Sequence, residues 1–210
     1  MSEKIEIMGI SVEKCYAEDI MESINQHWNE DTLATYGVIT MKLLIAAQKD
    51  EELKEYIETL DKAVADEPEI VKAAGLQDEA WESEISEHGF FGTLFWLLNL
   101  YKNRIFILGE KEEDTEKFCN YLKEQYPDIV ILGKDSLTDM EADQTDRVIN
   151  EINSWNPQAV LSCSREYNVE RFVKRYRKMM NTKVWFSLGS SLPVFQETGI
   201  KSNWLNRLME

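Results

Sequence analysis

From residue 104 onward, short apolar runs alternate with amphipathic segments, and this alternation leaves few folds open to the chain. The predicted strands are residues 104–108, 129–132, 159–161 and 184–188, and the predicted helices between them are residues 112–125, 143–155 and 169–180. Strand–helix–strand units of this kind form right-handed crossovers and a parallel sheet that helices cover on both faces. The sequence therefore predicts an α/β fold with a doubly wound, mostly parallel, Rossmann-like sheet.

The first half of the chain is less regular. Residues 5–12 alternate around Gly9 and predict a small N-terminal β-hairpin. Strands are predicted at residues 34–40 and 63–65, and helices at residues 17–28, 43–47, 51–60 and 68–74. Residues 76–89 have the composition of turns. Residues 90–101 form a helix that is apolar on nearly every side, which indicates burial in the core or, alternatively, a homo-oligomer contact.

Composition limits the kind of protein. With 210 residues, of which 43% are hydrophobic, the chain is long enough for one large domain over residues 1–210. A subtle split into two lobes near residue 101 is the alternative. The net charge of −16 argues against a broad nucleic-acid or anionic-membrane surface, since both need clustered Lys and Arg.

Cysteine usage and hydropathy indicate the compartment. The three cysteines are scattered, so neither a zinc site nor a disulfide framework is expected, and no cofactor is predicted. The longest apolar run, residues 90–100, is about half of what a bilayer span requires, and the N-terminus has no apolar signal-peptide core. We therefore expect a cytoplasmic protein without a transmembrane segment.

One carboxylate stands where chemistry is expected. The buried strand at residues 63–65 runs directly into Asp66 and Glu67, and Pro68 then begins a helix. Ligands of open parallel sheets bind outside the carboxyl ends of the strands, which places Asp66 at such a site. The alternative is structural, with Asp66 or Glu67 capping the helix at residues 68–74.

Several segments, taken in order, resemble one family. Residues 44–53 (LIAAQKDEEL) and 61–66 (DKAVAD) are followed by residues 104–109 (RIFILG), residues 126–129 (YPDI), and Trp204 and Arg207. Their order and spacing resemble the bacterial glycosyltransferases of the WecG/TagA/CpsF type, from Ile5 to about Met209.

The resemblance implies an activity. Such enzymes transfer N-acetylmannosamine or a related sugar from a UDP-sugar to a lipid-diphosphate-linked acceptor in cell-envelope polysaccharide synthesis. Asp66 matches the family's proposed base, which takes a proton from the acceptor hydroxyl. The positions that the resemblance assigns to substrate binding are Thr40, Glu67, Arg165, Tyr167, Glu170 and Ser190.

The chain also departs from the family pattern. Thr40 replaces an asparagine, Glu67 replaces a glycine, and residues 86–91 keep only the glycine of an Arg-x-x-Gly-x-Asp segment. A glycine-rich phosphate turn is replaced by residues 109–114 (GEKEED), whose four carboxylates are expected to cap the following helix and to stabilise its dipole. In residues 165–170 only Glu170 of the family's Gly-Ser-Pro-Lys-Gln-Glu loop is kept.

Three hypotheses follow. The chain is an active glycosyltransferase, or a degenerate relative that serves as a non-catalytic partner of a glycosyltransferase. The third is a binding protein for another small ligand, with a site lined by Thr40, Asp66, Glu67, Tyr167 and Ser190. In that case the Asp66–Glu67 pair could hold a divalent cation, although no metal site is predicted for the first two.

Overall fold

The computed structural model describes residues 4–30, 32–87, 89–137, 142–190 and 192. The strands in these residues are β1 Lys4–Ile7, β2 Ile10–Glu13, β3 Ala34–Ile39, β4 Lys62–Ala65, β5 Arg104–Gly109, β6 Val130–Ser136, β7 Ala159–Cys163 and β8 Val184–Ser187. The α-helices are α1 Ala17–His27, α2 Met41–Ala47, α3 Glu51–Glu58, α4 Pro68–Ala73, α5 Glu79–Ser86, α6 Gly89–Leu100, α7 Glu112–Gln125, α8 Ala142–Trp155 and α9 Asn168–Tyr176. A short 3₁₀ helix, Arg177–Met179, follows α9.

Six strands form one parallel sheet in the order β4-β3-β8-β7-β5-β6. The remaining strands, β1 and β2, form a separate antiparallel hairpin. The predicted doubly wound α/β fold and its N-terminal hairpin are therefore confirmed. The chain leaves β5 toward β6 and leaves β7 toward β8, so neighbouring strands send their connections in opposite directions. In open α/β sheets, the crevice that binds ligands lies at such a divergence, at the carboxyl ends of the two strands.

Apolar side chains alternate between the two faces of the sheet. On one face, α1, α6 and α7 pack against the strands, with Phe95 and Phe118 among the fully buried rings. On the other face, α8 and α9 cover β5, β7 and β8, while the hairpin and α2 to α5 form an adjoining core around Ile39. Successive residues of β5 show the alternation. Ile107 packs on the face covered by α1, α6 and α7, whereas Phe106 and Leu108 pack on the face covered by α8 and α9.

The apolar α6 lies largely inside the molecule. Phe90, Phe91, Leu94, Phe95 and Leu98 are buried. This supports the core interpretation of residues 90–101, and the homo-oligomer contact stays a prediction. None of the described helices combines the length and the apolarity that crossing a bilayer requires.

One segment was predicted wrongly. Residues 76–89 contain the helix α5, which begins after Asp78, whose carboxylate accepts a hydrogen bond from the Trp81 backbone N–H at 3.0 Å. The buried side chains of Trp81 and Ile85 are spaced by four residues, as one face of a helix requires. That spacing and the capping aspartate were the available signals. The predicted helix at residues 204–209, with Trp204 and Arg207, lies outside the described residues.

Ion pairs join α3 to α9 across the second face. Arg171 donates to Asp50 at 2.6 Å, and Arg175 donates to Glu52 at 2.7 Å. The hydrogen bond from Arg171 lowers the pKa of the Asp50 carboxyl, and that from Arg175 lowers the pKa of Glu52. The start of α9 is thus held against a helix from the first half of the chain.

Candidate functional site

The predicted site residues lie at one edge of the sheet, beyond the carboxyl ends of its strands. Thr40 follows β3, Asp66 and Glu67 follow β4, Arg165 lies two residues beyond β7, and Ser190 lies three residues beyond β8. Tyr167 and Glu170 stand at the start of α9. The parallel sheet therefore collects residues that are far apart in sequence at a single edge.

Asp66 is buried at this edge, with 7% of its surface exposed. Its backbone N–H donates to the Ile39 carbonyl oxygen at 3.2 Å, which extends the β3–β4 pairing by one residue. The peptide of Asp66 is therefore fixed by the sheet.

Glu67 stabilises a neighbouring helix. Its Oε2 accepts a hydrogen bond from the Met41 backbone N–H, the first residue of α2, at 2.6 Å. Although Glu67 occupies the N-cap position of α4, its side chain makes no capping bond there. The capping alternative is therefore wrong for Glu67, because the N-terminus of α2 is the nearer set of free donors.

Thr40 also serves α2. Its hydroxyl oxygen accepts a hydrogen bond from the Leu43 backbone N–H at 3.1 Å, so Thr40 is the N-cap of that helix. Thr40 and Glu67 together supply two acceptors to the first turn of α2.

The turn that contains Arg165 and Tyr167, which follows β7, contacts α2, which follows β3. The Lys42 ammonium of α2 lies 5.8 Å from the centre of the Tyr167 ring and donates to the Arg165 carbonyl oxygen at 3.3 Å. Burial, and then the nearby Glu170 carboxylate, raise the pKa of the Tyr167 hydroxyl to about 12. Tyr167 is therefore a neutral group near pH 7. Lys42 was missed at the level of sequence because a lysine near the start of an amphipathic helix carries no distinctive signal.

Arg165 is directed toward α7. Its guanidinium donates to both carboxylate oxygens of Asp114, from Nε at 2.9 Å and from a terminal nitrogen at 3.1 Å. Asp114 is buried in the first turn of α7. Such a two-point contact restricts the guanidinium more than a single hydrogen bond does.

Glu110, which directly follows β5, was not predicted as a site residue. Its carboxylate accepts hydrogen bonds from the backbone N–H groups of Arg165 at 2.7 Å, Glu166 at 2.8 Å and Asn168 at 3.0 Å. Glu112, Glu113 and Asp114 lie in the first turn of α7 as expected, but Glu110 binds the turn before α9 instead. The expectation that all four carboxylates serve α7 is therefore wrong for Glu110.

The reason lies in the N-cap of α9. Tyr167 occupies that position with φ of +66°, in the left-handed region, and its side chain makes no capping bond. Because the N-cap residue supplies no acceptor, the first N–H of the helix, that of Asn168, binds the Glu110 carboxylate, which the N–H groups of Arg165 and Glu166 in the preceding turn also bind.

Glu170 is enclosed, with 3% of its surface exposed. Burial is the main cause that raises the pKa of its carboxyl to about 7, and the nearby Glu110 carboxylate raises it further, while Ser164 lowers it. The Glu170 Oε2 and Ser164 Oγ atoms are both buried without a hydrogen bond of normal geometry. Buried polar atoms of this kind are uncommon and mark places where water or a ligand is expected.

Ser190 completes the edge and is half-buried. It follows Gly189, whose φ of +61° suits a glycine and whose carbonyl oxygen accepts from the Ser164 backbone N–H at 3.4 Å. The turn after β8 is thus attached to the turn after β7.

In the described residues, no three His, Cys, Asp or Glu side chains are grouped as a metal ion would require. A cavity of about 380 Å³ lies between α1 and α6 at the opposite edge of the sheet, and its lining includes none of the predicted site residues.

Comparison with known proteins identifies the family. The chain matches the model of the "Glycosyl transferase WecG/TagA/CpsF family" over residues 5–205. It is 23% identical over 190 residues to an N-acetylglucosaminyldiphosphoundecaprenol N-acetyl-beta-D-mannosaminyltransferase of Bacillus subtilis (strain 168), covering 90% of this chain and 73% of the relative. A protein of the same name from Staphylococcus aureus (strain MRSA252) is 21% identical over 194 residues, covering 91% and 75%. The parallel sheet, the carboxylates at its edge and this match over most of its length together show that the chain belongs to the WecG/TagA/CpsF glycosyltransferase family.

Proposed function

We propose that this protein transfers an N-acetylmannosamine-type sugar from a UDP-sugar to a lipid-diphosphate-linked acceptor in cell-envelope polymer synthesis. The two relatives carry names that describe transfer of N-acetylmannosamine to such an acceptor. The reaction would take place at the cytoplasmic side of the membrane, where nucleotide sugars are made.

Asp66 is proposed as the general base. The observation that carries the proposal is its placement, buried directly after β4 at the edge where Thr40 and Ser190 also lie. Sugar transfer needs a carboxylate that accepts the proton of the acceptor hydroxyl as that oxygen attacks the anomeric carbon. The backbone hydrogen bond of Asp66 to Ile39 fixes the main chain from which this carboxylate extends, and a base acts best from a fixed position.

The remaining predicted residues are proposed to bind the substrates. Thr40 and Ser190 offer hydroxyl groups, Tyr167 offers a ring, and Glu67 and Glu170 offer carboxyl groups. Arg165 provides positive charge beside the crevice between β5 and β7. A bound diphosphate would compete with Asp114 for that charge.

The test is a transfer assay with UDP-N-acetylmannosamine and a polyprenyl-diphosphate-linked N-acetylglucosamine acceptor. We expect Asp66→Asn to lower kcat by about 100-fold or more, since general-base catalysis contributes about 10²–10⁴-fold. The matched control is Asp128→Asn, which neutralises an exposed carboxylate paired with Lys102 and should change kcat less than twofold. Full activity in Asp66→Asn would refute the role of this residue.

One observation favours a second candidate, a non-catalytic member that binds a partner glycosyltransferase. The Glu110 carboxylate occupies the backbone donors of the turn before α9, and Asp114 binds the Arg165 guanidinium, so both sets of donors suited to a diphosphate are already engaged. Calorimetry with UDP, UDP-N-acetylglucosamine and UDP-N-acetylmannosamine, with and without magnesium, separates the candidates. Nucleotide binding together with turnover supports the enzyme, whereas absence of both supports the non-catalytic member.

A further inference from the structure

We infer that the turn before α9, residues 164–168, is an oxyanion-binding site that the chain keeps filled with its own Glu110 carboxylate. The ligand class is a phosphate or diphosphate group, which binds when Glu110 moves aside. This inference concerns binding alone, and it holds whether or not the protein transfers sugar.

The geometry of the turn is that of an anion site. Three backbone N–H groups, those of Arg165, Glu166 and Asn168, converge on one carboxylate at 2.7 to 3.0 Å. Consecutive N–H groups at the start of a helix bind phosphate in many proteins, because the helix dipole and the free donors both favour negative charge. The occupant is not a local cap, since Glu110 follows β5 and is separated from Arg165 by 55 residues in sequence.

Buried groups beside the turn point independently to a ligand. The Ser164 Oγ and Glu170 Oε2 atoms are buried without a hydrogen bond of normal geometry, and their residues are 2% and 3% exposed. The Tyr167 hydroxyl oxygen is likewise buried without such a hydrogen bond. A two-oxygen carboxylate satisfies the backbone donors and leaves these three side chains unused. A phosphate group, which has more oxygens, would offer further acceptors to the Ser164 and Tyr167 hydroxyl groups, and to Glu170 when its carboxyl group is protonated.

The location also suits a ligand. Glu110 directly follows β5 and Ser164 directly follows β7, which are neighbouring strands whose connections run in opposite directions. The filled turn therefore borders the crevice where open α/β sheets bind their ligands.

A tethered carboxylate is an effective competitor. Because Glu110 is part of the same chain, it acts at a high effective concentration and lowers the fraction of molecules with an empty turn. The apparent affinity for an external anion falls by that same fraction. Glu110 is 4% exposed, so it must leave a buried position before an external anion can enter.

The test is calorimetric titration of the full chain with inorganic diphosphate. We expect Glu110→Ala to bind diphosphate at least tenfold more tightly than the unmodified protein. The matched control is Glu112→Ala, which makes the same change of charge two residues away at an exposed position and should alter the affinity less than twofold. Circular dichroism checks that each variant is folded.

A second variant covers the case in which Glu110→Ala does not fold. Glu110→Gln keeps the shape of the side chain but removes its charge, and we expect it to bind diphosphate at least threefold more tightly than the unmodified protein. Equal affinities in the folded Glu110 variant and the unmodified protein would overturn the inference. An equal gain in Glu112→Ala would also overturn it, because the effect would then be one of net charge alone.

Discussion

In both halves of the sheet edge, a glutamate that follows one strand accepts hydrogen bonds from backbone beyond the neighbouring strand, but the number of bonds differs. In the first half, Glu67 follows β4 and binds one N–H group of α2, the helix after the neighbouring strand β3. In the second half, Glu110 follows β5 and binds three N–H groups in the turn before α9, the helix after the neighbouring strand β7. Each carboxylate thus accepts hydrogen bonds from N–H groups at or just before the helix that follows the neighbouring strand, and not from the helix that follows its own strand.

The difference follows from the two N-cap residues. Thr40 caps α2 with its own hydroxyl, so Glu67 adds one bond to a helix start that is already supplied. Tyr167 offers α9 no side-chain acceptor, and Glu110 accepts from the first N–H of the helix, that of Asn168, and from the N–H groups of Arg165 and Glu166 just before it. In the first half, Asp66 lies at the edge as a candidate base, whereas in the second half the Glu110 carboxylate occupies the proposed anion site.

The largest expected effect comes from removing each carboxylate in turn. Glu110→Ala should lower the free energy of unfolding by about 4 kcal/mol, because three partly buried backbone donors lose the buried Glu110 carboxylate and each hydrogen bond to a charged group contributes about 1.5–3 kcal/mol. Glu67→Ala should cost about 1 kcal/mol, as the loss of one helix-capping contact does. Urea denaturation of both variants measures the difference, and equal losses would contradict the asymmetry between the halves.

Two glycines test how tightly each half is built. A Cβ atom on Gly109 would lie 1.9 Å from Thr115 Oγ1, whereas one on Gly37 would lie 2.5 Å from Leu60 Cδ1 and 2.8 Å from Tyr56 Oη. Thr115 is branched at Cβ and its hydroxyl donates to the Lys111 carbonyl oxygen at 2.8 Å, so it yields less than the end of a leucine. We expect about 3 kcal/mol of destabilisation for Gly109→Ala and about 1 kcal/mol for Gly37→Ala.

Thermal unfolding of both glycine variants provides the measurement. If Gly37→Ala is the more damaging of the two, the turn after β5 is not the more constrained one.

A smaller effect is expected in the pH dependence of stability. The pKa of Glu170 is raised to about 7 in the folded protein from an ordinary value of 4.5. The folded state therefore holds a proton that the unfolded state releases, and stability is lost as the pH rises from about 4.5 through 7. Between pH 5 and pH 8 we expect the unmodified protein to lose about 2 kcal/mol relative to Glu170→Gln.

Urea titrations at several pH values measure this loss. The lowered pKa values of Asp50 and Glu52 act in a separate window, since their stabilising contributions are lost only in more acidic solution. Parallel pH profiles for the two proteins would show that Glu170 does not titrate in this range.

The sequence was sufficient for the sheet and for the position of the edge, since the alternation after residue 104 and the run into Asp66 both follow from local pattern. It was insufficient to predict which backbone N–H groups the carboxylates of Glu67 and Glu110 bind. Glu110 stands at the start of α7 in sequence, and only the β5–β7 pairing shows that its neighbour in space is the turn before α9. The left-handed backbone of Tyr167, which leaves α9 without a cap, is equally invisible in a residue that ordinarily avoids that conformation.

The most direct test of the account is an NMR titration with UDP that follows the backbone amides of both helix starts. In Glu110→Ala, the amide signals of Arg165, Glu166 and Asn168 should shift with UDP concentration. In Glu67→Ala, the Met41 amide should shift no more than it does in the unmodified protein. This result would show that the second half alone contains an anion site released by removing its own carboxylate. Unmoved amides at the turn before α9 in Glu110→Ala, or an equal shift at Met41 in Glu67→Ala, would contradict it.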